Sequence, residues 1–190
     1  MLPIRTGRLV LRAWQERDRE LFHRINSDDT VMEFFPMRRS RAESDELLDR
    51  LAKGIARDGF GFAAAEVAGG GRCIGFVGIT RTELEPFIPN GTMEIGWRLA
   101  PEHWGEGYVT EAAEAWLAHA FEVVGEDEVV SCAVWNNHRS TAVMQRLGMR
   151  HDASGDFDHP RVPGSHPQLA RHVLYRLSRS EWRKRKKAAE

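Results

Sequence analysis

Along this chain the spacing of apolar positions changes several times, and each change predicts an element. Residues 8–14 (RLVLRAW) alternate apolar and basic side chains, the two-residue period of a half-buried strand. Residues 16–26 then carry Leu21, Phe22 and Ile25 at helical spacing. A short apolar segment, VMEFFP, ends at Pro36. Ser40 and Glu43 make an S-x-x-E capping box before a helix whose apolar stripe is Leu47, Leu48, Leu51 and Ile55, and Gly59 closes it.

The period then shortens. GFGFAAAEV and RCIGFVGIT read as strands joined through Gly69-Gly70-Gly71, a hairpin signal. LEPFIPNG is a loop punctuated by Pro86, Pro89 and Asn90-Gly91, and TMEIGWRL is the next strand. From Gly107 to Val124 the helical period returns, with Val109, Ala113, Trp116, Leu117, Ala120, Phe121 and Val124 on the buried side. EVVSCAVW predicts a strand, residues 137–147 a short helix, and residues 150–157 a further strand. HPRVPGSHPQ is a loop, ARHVLYRLS a last strand and SEWRKRKKAAE a basic terminal helix. No repeat or linker interrupts the series, so a single domain over residues 1–190, with a basic tail from about 180, is expected. The class is mixed α/β (α+β), with antiparallel hairpins and at least one strand–helix–strand crossover.

Composition narrows the setting. The 190 residues are 42% hydrophobic and 29% charged, as in an ordinary globular domain with a real core. A net charge of −1 supplies no global field for nucleic acid. Cys73 and Cys132 lie in apolar strand-like segments and suggest no disulfide framework. No stretch has the length of a transmembrane helix, and MLPIRTGRL lacks the apolar run of a signal peptide, so a cytoplasmic protein is expected.

The chemistry gathers where the strand TMEIGWRL turns into the helix after Gly107. In HWGEGYVTEA two glycines at i and i+2 let a ligand approach the backbone, and bare amides from Gly105 to Thr110, aided by the helix dipole, suit a pyrophosphate. A nucleotide P-loop is excluded because no Lys-Ser/Thr pair follows, and a dinucleotide fingerprint because Thr110 stands at the third-glycine position. The alternative is a tight turn that only starts a helix. Asn137 and Ser140 at the start of the second strand-borne helix are equally good helix caps. His159, His166, His172, Asp156 and Asp158 do not meet a metal-ligand spacing, so no metal is expected.

The run GWRLAPEHWGEGYVTEA, residues 96–112, resembles the acyl-CoA motif of the GNAT N-acetyltransferase superfamily, and its W-G-x-G-Y-x-T-E-A form resembles the Rim-type branch, named for ribosomal-protein N-terminal acetylation. RTGRLVLRAWQERD, Asn137-x-x-Ser140 with MQRLGM, and FDHP with HVLYR resemble further segments of that branch in the same order. Glu102 departs from the Gln or Arg often found there, and Met149 from the usual Phe. The resemblance implies the GNAT acyl-CoA N-acyltransferase fold, a central, mostly antiparallel twisted sheet flanked by helices. It also implies acetyl-CoA as co-substrate and direct attack by a primary amine, on a protein N-terminus or a small molecule. By the same resemblance the amides of Gly105, Glu106, Gly107, Tyr108, Val109 and Thr110 hold the CoA pyrophosphate. The backbone of Trp97, Arg98 and Leu99 pairs with the pantetheine arm, and Asn137 hydrogen-bonds it. Ser140 lies near the sulfur as a candidate acid. Glu94, sharing a strand face with Thr92, Gly96 and Arg98, is the candidate base. Its plainer alternative is a solvated carboxylate paired with Arg98. The main-chain N–H near Trp97 is the expected oxyanion donor. Phe34 and Phe35 lie in the segment that shapes the acceptor pocket, with core packing as their alternative. A non-catalytic acyl-CoA-binding module is the competing function, and monomer and homodimer stay open. RKRKK near the end reads as a solvated charge run.

Overall fold

In the computed structural model, residues 3–189 are described. Residues 1, 2 and 190, which include the last residue of the expected basic tail, lie outside that range. The chain divides into two compact units, Met1–Thr80 with Gly96–Ala115 and Arg81–Ile95 with Trp116–Glu190. Antiparallel ladders, a parallel pair and, among the described residues, five α-helices make this a mixed-sheet fold.

In the first unit, β1 (Ile4–Arg5), β2 (Leu9–Arg12), β3 (Phe62–Val67) and β4 (Cys73–Arg81) pair in sequence, all antiparallel. The alternating positions Leu9 and Leu11 are buried, as the two-residue period requires. Helix α1 (Arg19–Ser27) buries Phe22 and Ile25, and α2 (Arg41–Asp58) buries Leu48 and Ile55. Both ends of α2 match the sequence: Ser40 and Glu43 cap each other's backbone, and Gly59 ends it. Trp14 meets Phe22 edge-on at 4.9 Å and donates its indole N–H to the Phe62 carbonyl at 2.8 Å, so the indole is buried without an orphaned donor. Arg12 is enclosed here too, but with two anions: Asp18 at 2.6 Å and Glu66 at 2.7 Å.

In the second unit, Met93 and Glu94 of β5 (Met93–Leu99) run parallel to Val129 and Val130 of β6 (Glu128–Val134). β6 in turn pairs antiparallel with β9 (Arg171–Ser178) over its whole length. Helix α3 (Tyr108–Ala118), which lies between β5 and β6 in sequence, enters this unit at Trp116; α4 (His138–Arg146) follows β6, and α5 (Arg179–Ala189) follows β9. Leu84, Ile88, Val130, Phe157 and Leu174 pack into one core, while Phe121 and Trp182, at 5.3 Å, seat α5. The basic run on α5 stays mostly exposed beyond Trp182.

Two segments differ from the sequence reading. After Ala118 the predicted helix continues to Val124 as a π-helix, in which the Gly125 amide reaches the Ala120 carbonyl five residues back. The strand expected over residues 150–157 is two short strands, β7 (Arg150–His151) and β8 (Phe157–Asp158), separated by a 3-10 turn at Ala153–Gly155. The reason is local. Asp152 keeps a backbone bond to the Leu174 carbonyl at 2.8 Å while its carboxylate holds Ser154 and Arg176, and the Asp156 carboxylate accepts the Leu174 amide at 3.0 Å in place of a backbone partner.

Candidate functional site

After β5 the chain makes a 3-10 turn at Pro101–His103 and reaches Gly105 and Gly107, whose φ angles of 79° and 78° lie in the left-handed region. A side chain at either position would strain the backbone, and these glycines leave the surface of the turn bare. The first α3 amide to find a helical acceptor is that of Glu111, on the Gly107 carbonyl at 3.0 Å. Among the described residues, no acceptor takes the amides of Gly105, Glu106, Gly107, Tyr108, Val109 or Thr110. Six consecutive free donors at a helix start, where the helix dipole adds positive potential, are an arrangement that suits an anion.

The turn is held from a distant part of the same unit. Arg8 donates from Nη1 to the Glu106 carbonyl at 2.9 Å, from Nε to Glu111 at 2.6 Å and from its own amide to Glu111 at 2.7 Å. Its guanidinium stands 4.7 Å from the Tyr108 ring centroid, and its Nη2 is the nearest atom to where a Cβ on Gly107 would sit. Glu102 is not free to repel an anion: Arg24 binds it at 2.6 Å and holds its carboxyl down at about 2. Arg72 stands 3.9 Å away. Three arginines, Arg8, Arg24 and Arg72, thus stand on the turn or on the residue that leads into it. Sequence reading missed all three, since only contact partners more than a hundred residues apart, as for Arg8, mark the role.

On β5, Met93 and Ile95 are buried and Glu94 lies on the alternate face. The parallel register with β6 covers Met93 and Glu94, after which the Ser131 hydroxyl donates to the Ile95 carbonyl at 2.9 Å. The Leu99 carbonyl accepts the Trp104 indole N–H at 2.8 Å. Glu94 is half-buried rather than solvated. Burial pushes its carboxyl pKa up, against the opposing pull of a hydrogen bond from the Cys132 thiol at 3.4 Å and of Arg161. Arg98 donates to the Asn26 side-chain oxygen. Asn137 caps α4, its Oδ1 accepting the Ser140 amide at 3.2 Å, while its amide group and the Ser140 hydroxyl carry no hydrogen bond among the described residues. Asn137 is thus a cap, with its donor group still unused.

The family model described as acetyltransferase (GNAT) domain matches residues 8–150. The chain belongs to the GNAT acetyltransferase family. The FsC-acetyl coenzyme A-N(2)-transacetylase of Aspergillus fumigatus is 28% identical over 194 residues, covering 94% of this chain and 77% of that protein. The crystal structure of an acetyltransferase from Agrobacterium tumefaciens aligns with a TM-score of 0.72 at 27% identity, over 93% of this chain and 94% of that one. The spermidine N-acetyltransferase from Vibrio cholerae, solved with CoA and spermine, shares the fold at a TM-score of 0.70 and 19% identity, over 92% and 97% of the two chains. This GNAT protein is an acyl-CoA-dependent acetyltransferase with acetyl-CoA as its co-substrate.

Other GNAT-protein residues named from the sequence sort by their contacts. Phe35 is exposed, and its ring lies 4.2 Å from the Arg98 guanidinium. Phe34 is half-buried in the same segment, which Arg38 ties down through the Met32 and Phe35 carbonyls and Asp29. The His159 and His172 rings lie 4.7 Å apart, tilted by 44°, beside Phe157, and burial, with the His172 charge, holds His159 near 4. No cluster of three or more metal-ligating side chains occurs among the described residues. Nor is any helix among them long and apolar enough to cross a membrane.

Proposed function

We propose that this GNAT protein is an N-acetyltransferase of the Rim-type branch, moving acetyl from acetyl-CoA to a primary amine. The observation that carries the reading is the row of six unclaimed amides from Gly105 to Thr110 with Arg8 beside it. These amides bind the CoA pyrophosphate. The backbone of Trp97, Arg98 and Leu99 pairs with the amides of the pantetheine arm, as an added strand would. The Leu99 carbonyl does so with the lone pair that Trp104 leaves open.

The amine nitrogen attacks the thioester carbonyl carbon, the C–S bond breaks, and the thiolate takes up a proton. Glu94 removes the acceptor's proton, directly or through a water, and its upward-shifted pKa brings it closer to that task. The Trp97 N–H stabilises the oxyanion, Ser140 returns a proton to sulfur, and Asn137 binds the arm with the amide group its capping role leaves free. Phe34 and Phe35 line the acceptor pocket.

The partially buried Glu94 favours this reading over a non-catalytic acyl-CoA module, which has no use for a base of raised pKa. Thiol release from acetyl-CoA, measured over a panel of amines and N-terminal peptides, tests it. Release with one acceptor class is expected, and saturable CoA binding without release over the whole panel would favour the binding module.

A further inference from the structure

Two enclosed arginines of the first unit are treated in opposite ways. Arg12 carries Asp18 and Glu66 on its guanidinium. Arg98 carries no anion: it donates to the Asn26 side-chain oxygen, its enclosed Nε has no partner, and it forms no ion pair among the described residues. Asn26 is held in place for this contact, because it is fully buried and spends its own amide group on the Phe22 carbonyl at 2.6 Å. The Arg98 guanidinium lies 4.2 Å from the centroid of the exposed Phe35 ring and 5.4 Å from that of Phe76.

A second cation stands close by. Arg39 donates its amide to the Asn26 carbonyl at 2.9 Å and forms no ion pair among the described residues. Burial, and then the Arg39 charge, pull Arg98 down to about 10. The neighbouring carboxylate on this segment, Glu43, is committed to capping Ser40. Aromatic faces offset part of the cost of enclosing a guanidinium, but they leave its in-plane donors unused. A planar fork with a free in-plane N–H, next to a second guanidinium, fits a carboxylate.

We propose that Arg98, flanked by Arg39 and covered by Phe35, is the subsite for a carboxylate of the acceptor, so that the substrate is an amine that also bears a carboxylate. This rests on the acetyltransferase reading above. The shared chemistry is an anionic oxygen, which a CoA phosphate also carries. The phosphates are assigned to the turn at residues 105–110, so the acceptor is the source chosen here.

The test pairs amino acids with their carboxamides, which keep the amine and lose the charge, in thiol-release assays on the full chain. Wild type is expected to favour the carboxylate member by about tenfold or more in kcat/KM, the scale of one charge-assisted contact. Arg98→Gln brings the ratio to about one, and Arg39→Ala, on a half-exposed side chain, lowers it about threefold with the carboxamide rate unchanged. Equal rates within pairs for wild type, or a ratio that survives Arg98→Gln, would overturn the proposal. So would a loss matched by a rise in the KM for acetyl-CoA, which assigns the anion to CoA. If Arg98→Gln does not fold, Arg98→Lys, which keeps the charge and loses the fork, and Arg39→Ala decide. If no amine is turned over, the acetyltransferase reading fails separately. Calorimetric titration of the same amino acids into CoA-loaded protein then decides the subsite: binding lost in Arg98→Lys supports it, and no binding to wild type rejects it.

Discussion

Arg8 and Glu111, 103 residues apart, meet through two hydrogen bonds, Nε to Oε2 at 2.6 Å and main-chain N–H to Oε1 at 2.7 Å. The Thr6 hydroxyl adds a third to the same carboxylate at 2.5 Å. Glu111 lies in the first turn of α3, where the helix dipole favours an anion, and it keeps the Arg8 guanidinium on the Glu106 carbonyl. The pair therefore acts on the shape of the glycine turn. Glu111→Gln should raise the KM for acetyl-CoA about three- to tenfold with little change in kcat, as lost uniform binding does. Arg8→Ala should do the same, and the double variant should be no worse than the poorer single one. Additive losses would mean that the two residues act separately.

Gly107 answers for the turn itself. Its φ of 78° makes any side chain cost about 1–2 kcal/mol, and a Cβ there would meet Arg8 Nη2 at 3.4 Å. Gly105 has the same φ but open space around its Cβ position. Both Gly→Val variants should lower Tm by similar amounts. Gly107→Val should also abolish the Tm rise that CoA gives wild type. A full CoA-dependent rise in that variant would remove the pyrophosphate from this turn.

The fold was legible wherever one segment carries its own period or cap: the Ser40–Glu43 box, the Gly69–Gly71 hairpin and the buried face of β5 all stand as the sequence implies. The strand expected over residues 150–157 was misread because Asp152 and Asp156 divert it through side-chain bonds that no periodicity records. The glycine turn was legible as a string of amides. The arginines beside it, Arg8, Arg24 and Arg72, were not, since they come from separate stretches whose local pattern shows only surface arginines. Arg98 was read for its backbone and as a possible partner of Glu94, and its side chain became informative only beside Asn26 and Phe35.

Glu94 predicts a pH signature. Its pKa is raised above the ordinary 4.5 by burial, so its protonated form is favoured on folding. Its contribution to stability is present below 4.5 and is lost as pH rises through the raised value. Glu94→Gln should therefore flatten the fall of stability with pH over that window. As the base, Glu94 acts deprotonated, so wild-type kcat/KM should rise through the same raised pKa. That limb should vanish in Glu94→Gln, with kcat down about a hundredfold. Unchanged turnover at every pH would exclude Glu94 as the base.

Asn137 separates capping from binding by chemistry. Its oxygen caps α4, whereas its amide group is free. Asn137→Asp keeps the acceptor and loses the donor, so Tm should hold while the KM for acetyl-CoA rises. Asn137→Ala loses both and should also cost about 1 kcal/mol of stability. An unaltered KM in Asn137→Asp would leave Asn137 as a cap only.

Glu102 makes the opposite prediction, a gain. Arg24 holds its carboxyl at about 2, so the stability it contributes is present above 4.5 and is lost as pH falls through about 2. The pair is partly exposed, with side chains 47% and 38% accessible, and solvent screening keeps that contribution below about 1 kcal/mol. More is at stake in charge. Glu102 neutralises Arg24 and stands 3.9 Å from Arg72, both near the start of the amide turn in sequence or by contact. Glu102→Gln frees both guanidiniums to attract the CoA phosphates. The KM for acetyl-CoA should fall about two- to threefold at low salt, and the gain should fade at about 1 M salt, where the Debye length is near 3 Å. Acid unfolding between about 4.5 and 2 should lose part of its pH dependence in the same variant. A KM that rises instead would show that Arg24 serves the turn by being held on Glu102, as a strut rather than as a spare charge.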